Sequence, residues 1–373
     1  MARPDERPER SRDRAGPSGA GVLAGPRALH WPTLPSRIRP RPTRSSLIER
    51  GLRALCLATA LAPLLMLLVV TGTLLASALP AIRFSGLDFF TGRVFSFGNL
   101  YGGTPTVHHG VAAPHNASYG AAPLIVGTLL TSVIALVVAV PIAVGGVLAL
   151  VEQVPRRLQG GLSLFLELLA GIPSVVFGLW ALLVLGPLLA RHVYPILARL
   201  GVLVPFLKGP VGNGEGLLTA SLMLAVMIVP IIAATTRDLL RTVPVLHKEA
   251  ALALGMTRFE VARVVTLPFV RNGIVAAAIL GWARALGETM AVLMVSGNAL
   301  NIFPYNLYAP TTTIAATIAA MLDSALTDAT GMGVSALAEA GLVLLAITLL
   351  TNWVGRQIAR RAAGVPLPVG RGF

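Results

Sequence analysis

Six apolar runs divide the chain, at residues 54–79, 122–151, 162–190, 217–236, 272–294 and 337–354. At 1.5 Å per helical residue, runs of this length match the roughly 20 residues that cross a bilayer. They predict an all-α integral membrane protein with six transmembrane helices. Pro141 and Pro230 mark kinks in the second and fourth runs, and Gly171-Ile172-Pro173 interrupts the third. There Pro173 removes an amide donor and crowds the carbonyl four residues back, which frees backbone to bend or to face a polar path. A seventh apolar run, 314–322, falls well short of a span and reads as an interfacial or re-entrant helix. The gap before the fifth run is different in kind: from His247 to Pro268 it carries Lys248, Glu249, Arg258, Glu260 and Arg263, so it belongs in water at a membrane surface. Its pattern predicts two short helices. Pro244 opens the first and Gly255 ends it; Thr257 caps the second with Glu260 three residues on, and Leu267-Pro268 closes it.

Composition agrees with this pattern. Of 373 residues 55% are hydrophobic and 12% charged, and the mean hydropathy is +0.76, outside the range of ordinary soluble domains. The net charge of +14 comes from 28 Arg and 2 Lys. Such an excess attracts nucleic acid when it is clustered; here its placement reads as membrane orientation instead. Residues 1–46, with 8 prolines and 10 arginines, predict a disordered basic cytoplasmic tail able to touch anionic lipid. Ala76-Ser77-Ala78 imitates a signal-peptidase site, but the run before it is about twice a signal core and reads as a retained helix. Between Glu288 and Gly355 there is no Lys or Arg, so that stretch is expected outside, with the tail, the Arg156-Arg157 turn, 244–268 and both termini inside. The predicted layout is a tail at 1–46, a first helix and outer loop at 47–121, a five-helix core at 122–361 with two short cytoplasmic helices at 244–268, and a C-terminal tail at 362–373. The single Cys56 excludes an intrachain disulfide or a cysteine-ligated cluster.

Arg284 and Glu288 carry the sharpest chemistry. Counted from Arg271, Arg284 lies about 20 Å along the fifth run, where a charge costs at least ~2.5 to 3.5 kcal/mol and has to face protein or water. A spacing of four places both side chains on one helix face. They form either an intrahelical ion pair, for which Arg before Glu is the poorer order, or an anion-receiving pair. In the second reading the planar guanidinium fork of Arg284 takes an oxyanion and Glu288 accepts from a proton-bearing oxygen. Ser174, just after Pro173, either hydrogen-bonds a passing anion or satisfies freed backbone. Glu167 and Glu339 sit near run ends and read as interfacial or helix-to-helix hydrogen-bonding groups. His108, His109 and His115, with no acidic neighbour, read as a solvated loop rather than a metal site. No Walker A loop is present, because Lys208 is followed by Gly and Lys248 by Glu.

Glu249, Ala250 and Ala251, then Gly255, Val265, Leu267 and Pro268 resemble the EAA motif of ABC importer permeases, with Val265 where that family usually has isoleucine. Residues 168–178, LLAGIPSVVFG, resemble the phosphate permease signature, and 284–292, RALGETMAV, with Gly297-Asn298 resemble the PstC-type subunit. The resemblance implies the type I importer permease (MetI-like) architecture in a bacterial inner membrane. It further implies a sister permease (PstA type), two ATPase subunits (PstB type) that bind ATP and Mg, and a periplasmic phosphate-binding protein. No cofactor is expected in this chain. It also associates the Arg284 and Glu288 positions with phosphate passage, and the EAA residues with ATPase coupling. A permease for another oxyanion, such as phosphonate or molybdate, shares the coupling stretch but not the GETMAV run. A secondary transporter calls for an inverted repeat that is not evident.

Overall fold

The computed structural model describes residues 45–362, apart from positions 101, 103 and 203. The expected tails therefore lie outside the described residues except at their inner margins, 45–46 and 362, which are helical. The described residues fall into two compact units divided between Ala62 and Pro63. The first, where described, is helical and carries an exposed Arg53–Glu49 ion pair at 2.8 Å, one turn apart. The second holds everything described below except the start of the first span.

Among the described residues six helices are long and apolar enough to cross a membrane: Glu49–Ser85, Ala122–Glu152, Ser174–Leu200, Leu217–Arg241, Arg258–Leu286 and Met332–Arg361. The fourth is the centre of the packing. In its most apolar stretch 72% of residues are buried, against 22 to 28% in the second, third, fifth and sixth. Its inward face, including Met223, Leu224, Ile228 and Ile232, forms one cluster with Ala135, Ala139 and Ala143 of the second span and Ala277 of the fifth. Small residues on the second and fifth spans let these backbones approach, as helix contacts in lipid require.

The third span differs from its sequence expectation. Residues 156–170 form a separate amphipathic helix, Arg156–Ala170, whose Leu158, Leu162, Phe165 and Leu168 are exposed. Pro173 then takes extended backbone (φ −57°, ψ 138°), and the span starts afresh at Ser174. It recovers its length at the far end, running through Arg191 and His192 to Leu200, so the following loop shortens from the expected 191–216 to 201–216. The apolar face of the amphipathic helix merges with the span in composition, and only the backbone break separates them.

Prolines shape the spans in a second way. Gly186 N–H bonds to the Ala181 carbonyl, Tyr194 N–H to Leu189, and Leu267 N–H to Ala262, each five residues back. Pro187, Pro195 and Pro268 follow directly. A proline inside an α-helix lacks the donor and clashes with the carbonyl four residues back. Widening the preceding turn into a π-turn removes that conflict without ending the helix. The expected stop at Leu267-Pro268 is thus corrected: Arg258–Leu286 runs on through that point as one helix.

The chain is not purely helical. Residues 95–119 carry two short antiparallel ladders, Phe95–Ser96 with Ser118–Tyr119 and Thr106–His108 with Val111–Ala113, over a buried cluster that includes Phe89, Phe95, Phe97 and Tyr119. The 314–322 run becomes the 13-residue helix Ile314–Leu326, too short to span, packed on the sixth span and anchored by Ile314 N–H to Thr128 Oγ1 at 2.9 Å. The sixth span begins five residues before its expected start, because Asp328 organises the turn ahead of it. Its carboxylate accepts from Thr330 N–H and Gly333 N–H, both at 2.8 Å, and from Thr330 Oγ1 at 2.7 Å.

Asp328→Ala leaves these donors, of which Gly333 N–H is buried, without their acceptor and is expected to lower stability by about 1–2 kcal/mol. A lower melting temperature of the purified protein in detergent, with Asp323→Ala near wild type, is the check.

Candidate functional site

The stretch 244–268 folds as its sequence indicates over its first half. Pro244 precedes the helix Val245–Ala253, whose face shows Glu249 and Ala250 exposed and Ala251 buried. Gly255 has φ +85°, a left-handed conformation that ends the helix and that a side chain would strain. Thr257 then forms a complete capping box: Glu260 N–H donates to Thr257 Oγ1 at 3.3 Å, and Thr257 N–H donates to Glu260 Oε2 at 2.7 Å. Leu267 and Pro268 do not share this turn. They lie further along, at the π-turn inside the fifth span.

Two ion pairs hold this end of the molecule. Lys248 Nζ meets Glu152 Oε1 at 2.5 Å, joining the helix Val245–Ala253 to the last residue of the second span. Arg237, 8% exposed, meets Glu167 at 2.9 Å and Asp238 at 3.1 Å, joining the fourth span to the amphipathic helix. Glu167 is therefore a helix-to-helix group, as its position implied. Gln159 adds hydrogen bonds to the Val151 and Val154 carbonyls at the end of the second span.

Arg284 lies in the last turn of the fifth span, on the exposed surface of the chain. Its relation to Glu288 is not the one expected. The helix ends at Leu286, Gly287 caps it, and Glu288 and Thr289 are non-helical before a short helix resumes at Met290–Val295. A spacing of four therefore does not put the two side chains on one helix face, because no helix connects them. Among the described residues no ion pair joins Arg284 to Glu288, which removes the intrahelical-pair reading. Two residues before Arg284 in sequence, Trp282 Nε1 donates to Ser132 Oγ of the second span at 3.1 Å.

Ser174, half-buried, opens the third span, and the first turns of that span pack on Met290–Val295. The crossing is close: a Cβ at Gly178 would lie 2.9 Å from Ala291 Cα and 3.0 Å from Met294 Sδ. The 168–178 and 284–292 motifs therefore meet in space, through Gly178 and Ala291. Glu339, by contrast, is 4% exposed, and among the described residues its Oε2 has no hydrogen-bond partner. Sequence reasoning missed Glu152, Ser132 and Trp282. The available signal was opposite charge at the ends of two runs and a lone hydroxyl opposite an indole.

Among the described residues, helices of spanning length around a buried fourth span, with a capped, charged turn entering the fifth, are the architecture of a multi-pass membrane protein. Residues 142–364 match the family described as binding-protein-dependent transport system inner membrane component. The phosphate transport system permease protein PstC 1 of Mycobacterium tuberculosis is 56% identical over 317 residues, 84% of this chain and 94% of the relative. The phosphate transport system permease protein PstC of Pasteurella multocida is 40% identical over 291 residues, 77% of this chain and 87% of the relative. A chain of the bacterial alginate ABC transporter, solved in complex with its pentasaccharide-bound periplasmic protein, is similar at 14% identity with a TM-score of 0.49, covering 86% of this chain and 99% of that one. The chain belongs to the binding-protein-dependent inner-membrane permeases and, within them, to the PstC type.

Gly178→Leu is expected to destabilise the protein by about 1–3 kcal/mol through overpacking. Gly146→Ala, where nothing lies within 4 Å of the added Cβ, is expected to be neutral or slightly stabilising. Paired melting curves in detergent check the contrast.

Proposed function

We propose that this chain is one permease half of an ATP-driven importer of inorganic phosphate. Arg284 is the observation that carries the reading: a guanidinium at the end of a spanning helix, on the exposed surface of the chain and not neutralised by Glu288. Such a group costs free energy in a membrane unless it faces a wet path or a solute, and its fork suits tetrahedral oxyanions. The relatives named above are phosphate permeases, which selects phosphate among oxyanions. Glu288, released from the helix by Gly287, accepts from a protonated phosphate oxygen, and Ser174 adds a hydroxyl at the start of the packed third span.

Energy enters elsewhere. The helix Val245–Ala253 offers Glu249 and Ala250 on an exposed face to an ATPase subunit, with Gly255 fixing its angle. The complete importer is this chain with a sister permease of the PstA type, two ATPase subunits of the PstB type that bind ATP and Mg, and a periplasmic phosphate-binding protein. Both termini and the docking turn lie on the cytoplasmic side, consistent with the arginines near them and the Lys- and Arg-free stretch 289–354 on the other. Closure of the ATPase dimer then moves the docking helices, and the spans alternate their access to the Arg284 region.

Arg284→Gln is expected to lower phosphate uptake by at least about thirtyfold, the loss of a charge-assisted anion contact, while the complex still co-purifies. Uptake near wild type in that variant overturns the role of Arg284. Glu249→Lys and Gly255→Asp are expected to abolish uptake with loss of ATPase binding or stimulation, read by co-purification and phosphate release. In a Cys56→Ser background, Lys248→Cys is expected to react with an impermeant thiol reagent only from the cytoplasmic side.

A further inference from the structure

The docking helix has two connections to the rest of the permease. One is the chain itself: Gly255, the Thr257 capping box and the start of the fifth span. The other is the contact of Lys248 Nζ with Glu152 Oε1 at 2.5 Å, 96 residues apart in sequence, with side chains only 19% and 21% exposed. Neither charge suits its own helix. Glu152 is the last residue of Ala122–Glu152, where carbonyls already concentrate negative potential, and Lys248 sits in the first turn of Val245–Ala253, where amides concentrate positive potential. Each is favourable only through the other, and removing one leaves the second partly buried and unpaired.

The second span is the member this contact engages, and it reaches the rest of the path. Ser132 Oγ accepts from Trp282 Nε1, two residues from Arg284, and Thr128 Oγ1 accepts from Ile314 N–H, which anchors the helix Ile314–Leu326. A displacement of the docking helix is thus delivered to the Arg284 region from two sides, along the fifth span directly and along the second span through the ion pair.

We propose that Lys248 and Glu152 are a positioning pair that makes the second span follow the docking helix, so that nucleotide hydrolysis and anion passage stay coupled. The inference rests on the reading that Val245–Ala253 docks an ATPase subunit. The pair touches neither the anion nor the nucleotide. Its loss therefore separates two quantities that a merely stabilising contact lowers together, phosphate moved and ATP hydrolysed.

The test uses the complete importer in proteoliposomes with its binding protein, comparing Lys248→Glu, Glu152→Lys and the double exchange, with Lys248→Met and Glu152→Gln as milder variants. In each single variant, phosphate moved per ATP hydrolysed is expected to fall at least about fivefold, the lower end of site-to-site coupling effects, while the ATPase subunits remain bound and active. The double exchange is expected to return that ratio to within about twofold of wild type, the margin within which independent effects add. An unchanged ratio in the Met and Gln variants, or a double exchange no better than the singles, overturns the proposal. Gly255→Asp in the same preparation isolates the underlying reading: if the ATPase subunits stay bound and stimulated there, the docking assignment has failed, whatever the ion pair does.

Discussion

Hydrocarbon offers no hydrogen bonds, so a chain that crosses it has to satisfy its backbone from within. In this protein that constraint is met around prolines, and most departures from simple helices follow from it. Pro187, Pro195 and Pro268 are each absorbed by a π-turn whose five-residue bond replaces the missing one. Pro173 is not absorbed, and the chain breaks there, separating an amphipathic helix from a span. The second break, at Gly287 to Thr289, needs no proline: Gly287 caps the fifth span, and the chain restarts at Met290. The two breaks flank the crossing of Gly178 with Ala291, so irregular backbone gathers where the two signature motifs meet.

Charge follows the same economy. Arg237 is answered by Glu167 and Asp238, and Lys248 by Glu152, all at one end of the helical body. Arg284 is not answered by Glu288. Paired charges fasten helices to one another, and Arg284 forms no such fastening with Glu288. The distinction comes from geometry rather than residue type, since Arg237 and Arg284 are both arginines in spanning helices with a carboxylate within four residues.

The sequence carried the number of spans, the capped turn and the left-handed glycine, because these depend on local composition and on side chains a few residues apart. Thr257 with Glu260, and Gly255, formed as their spacing required. Other features were hidden for identifiable reasons. The third run was bounded too early because the apolar residues of 162–170 run on into those of the span, and the extended backbone at Pro173 is what separates them. Arg284 and Glu288 were placed on one face by a rule that assumes an unbroken helix, which Gly287 denies. Glu152 with Lys248, and Trp282 with Ser132, join residues 96 and 150 positions apart, beyond any local pattern.

The continuity of the fifth span carries a mechanical consequence. Thr257 and Arg284 lie at the two ends of a single rod, Arg258–Leu286, with no loop between them. At 1.5 Å per residue it measures roughly 43 Å, so a tilt of about 5° pivoting at one end sweeps the other through nearly 4 Å. The rod also fixes azimuth: one residue inserted anywhere along it swings the guanidinium about 100° around the axis relative to the turn. Length and phase between the capped turn and the Arg284 guanidinium are therefore set by the residue count of one helix together with the π-turn at its start.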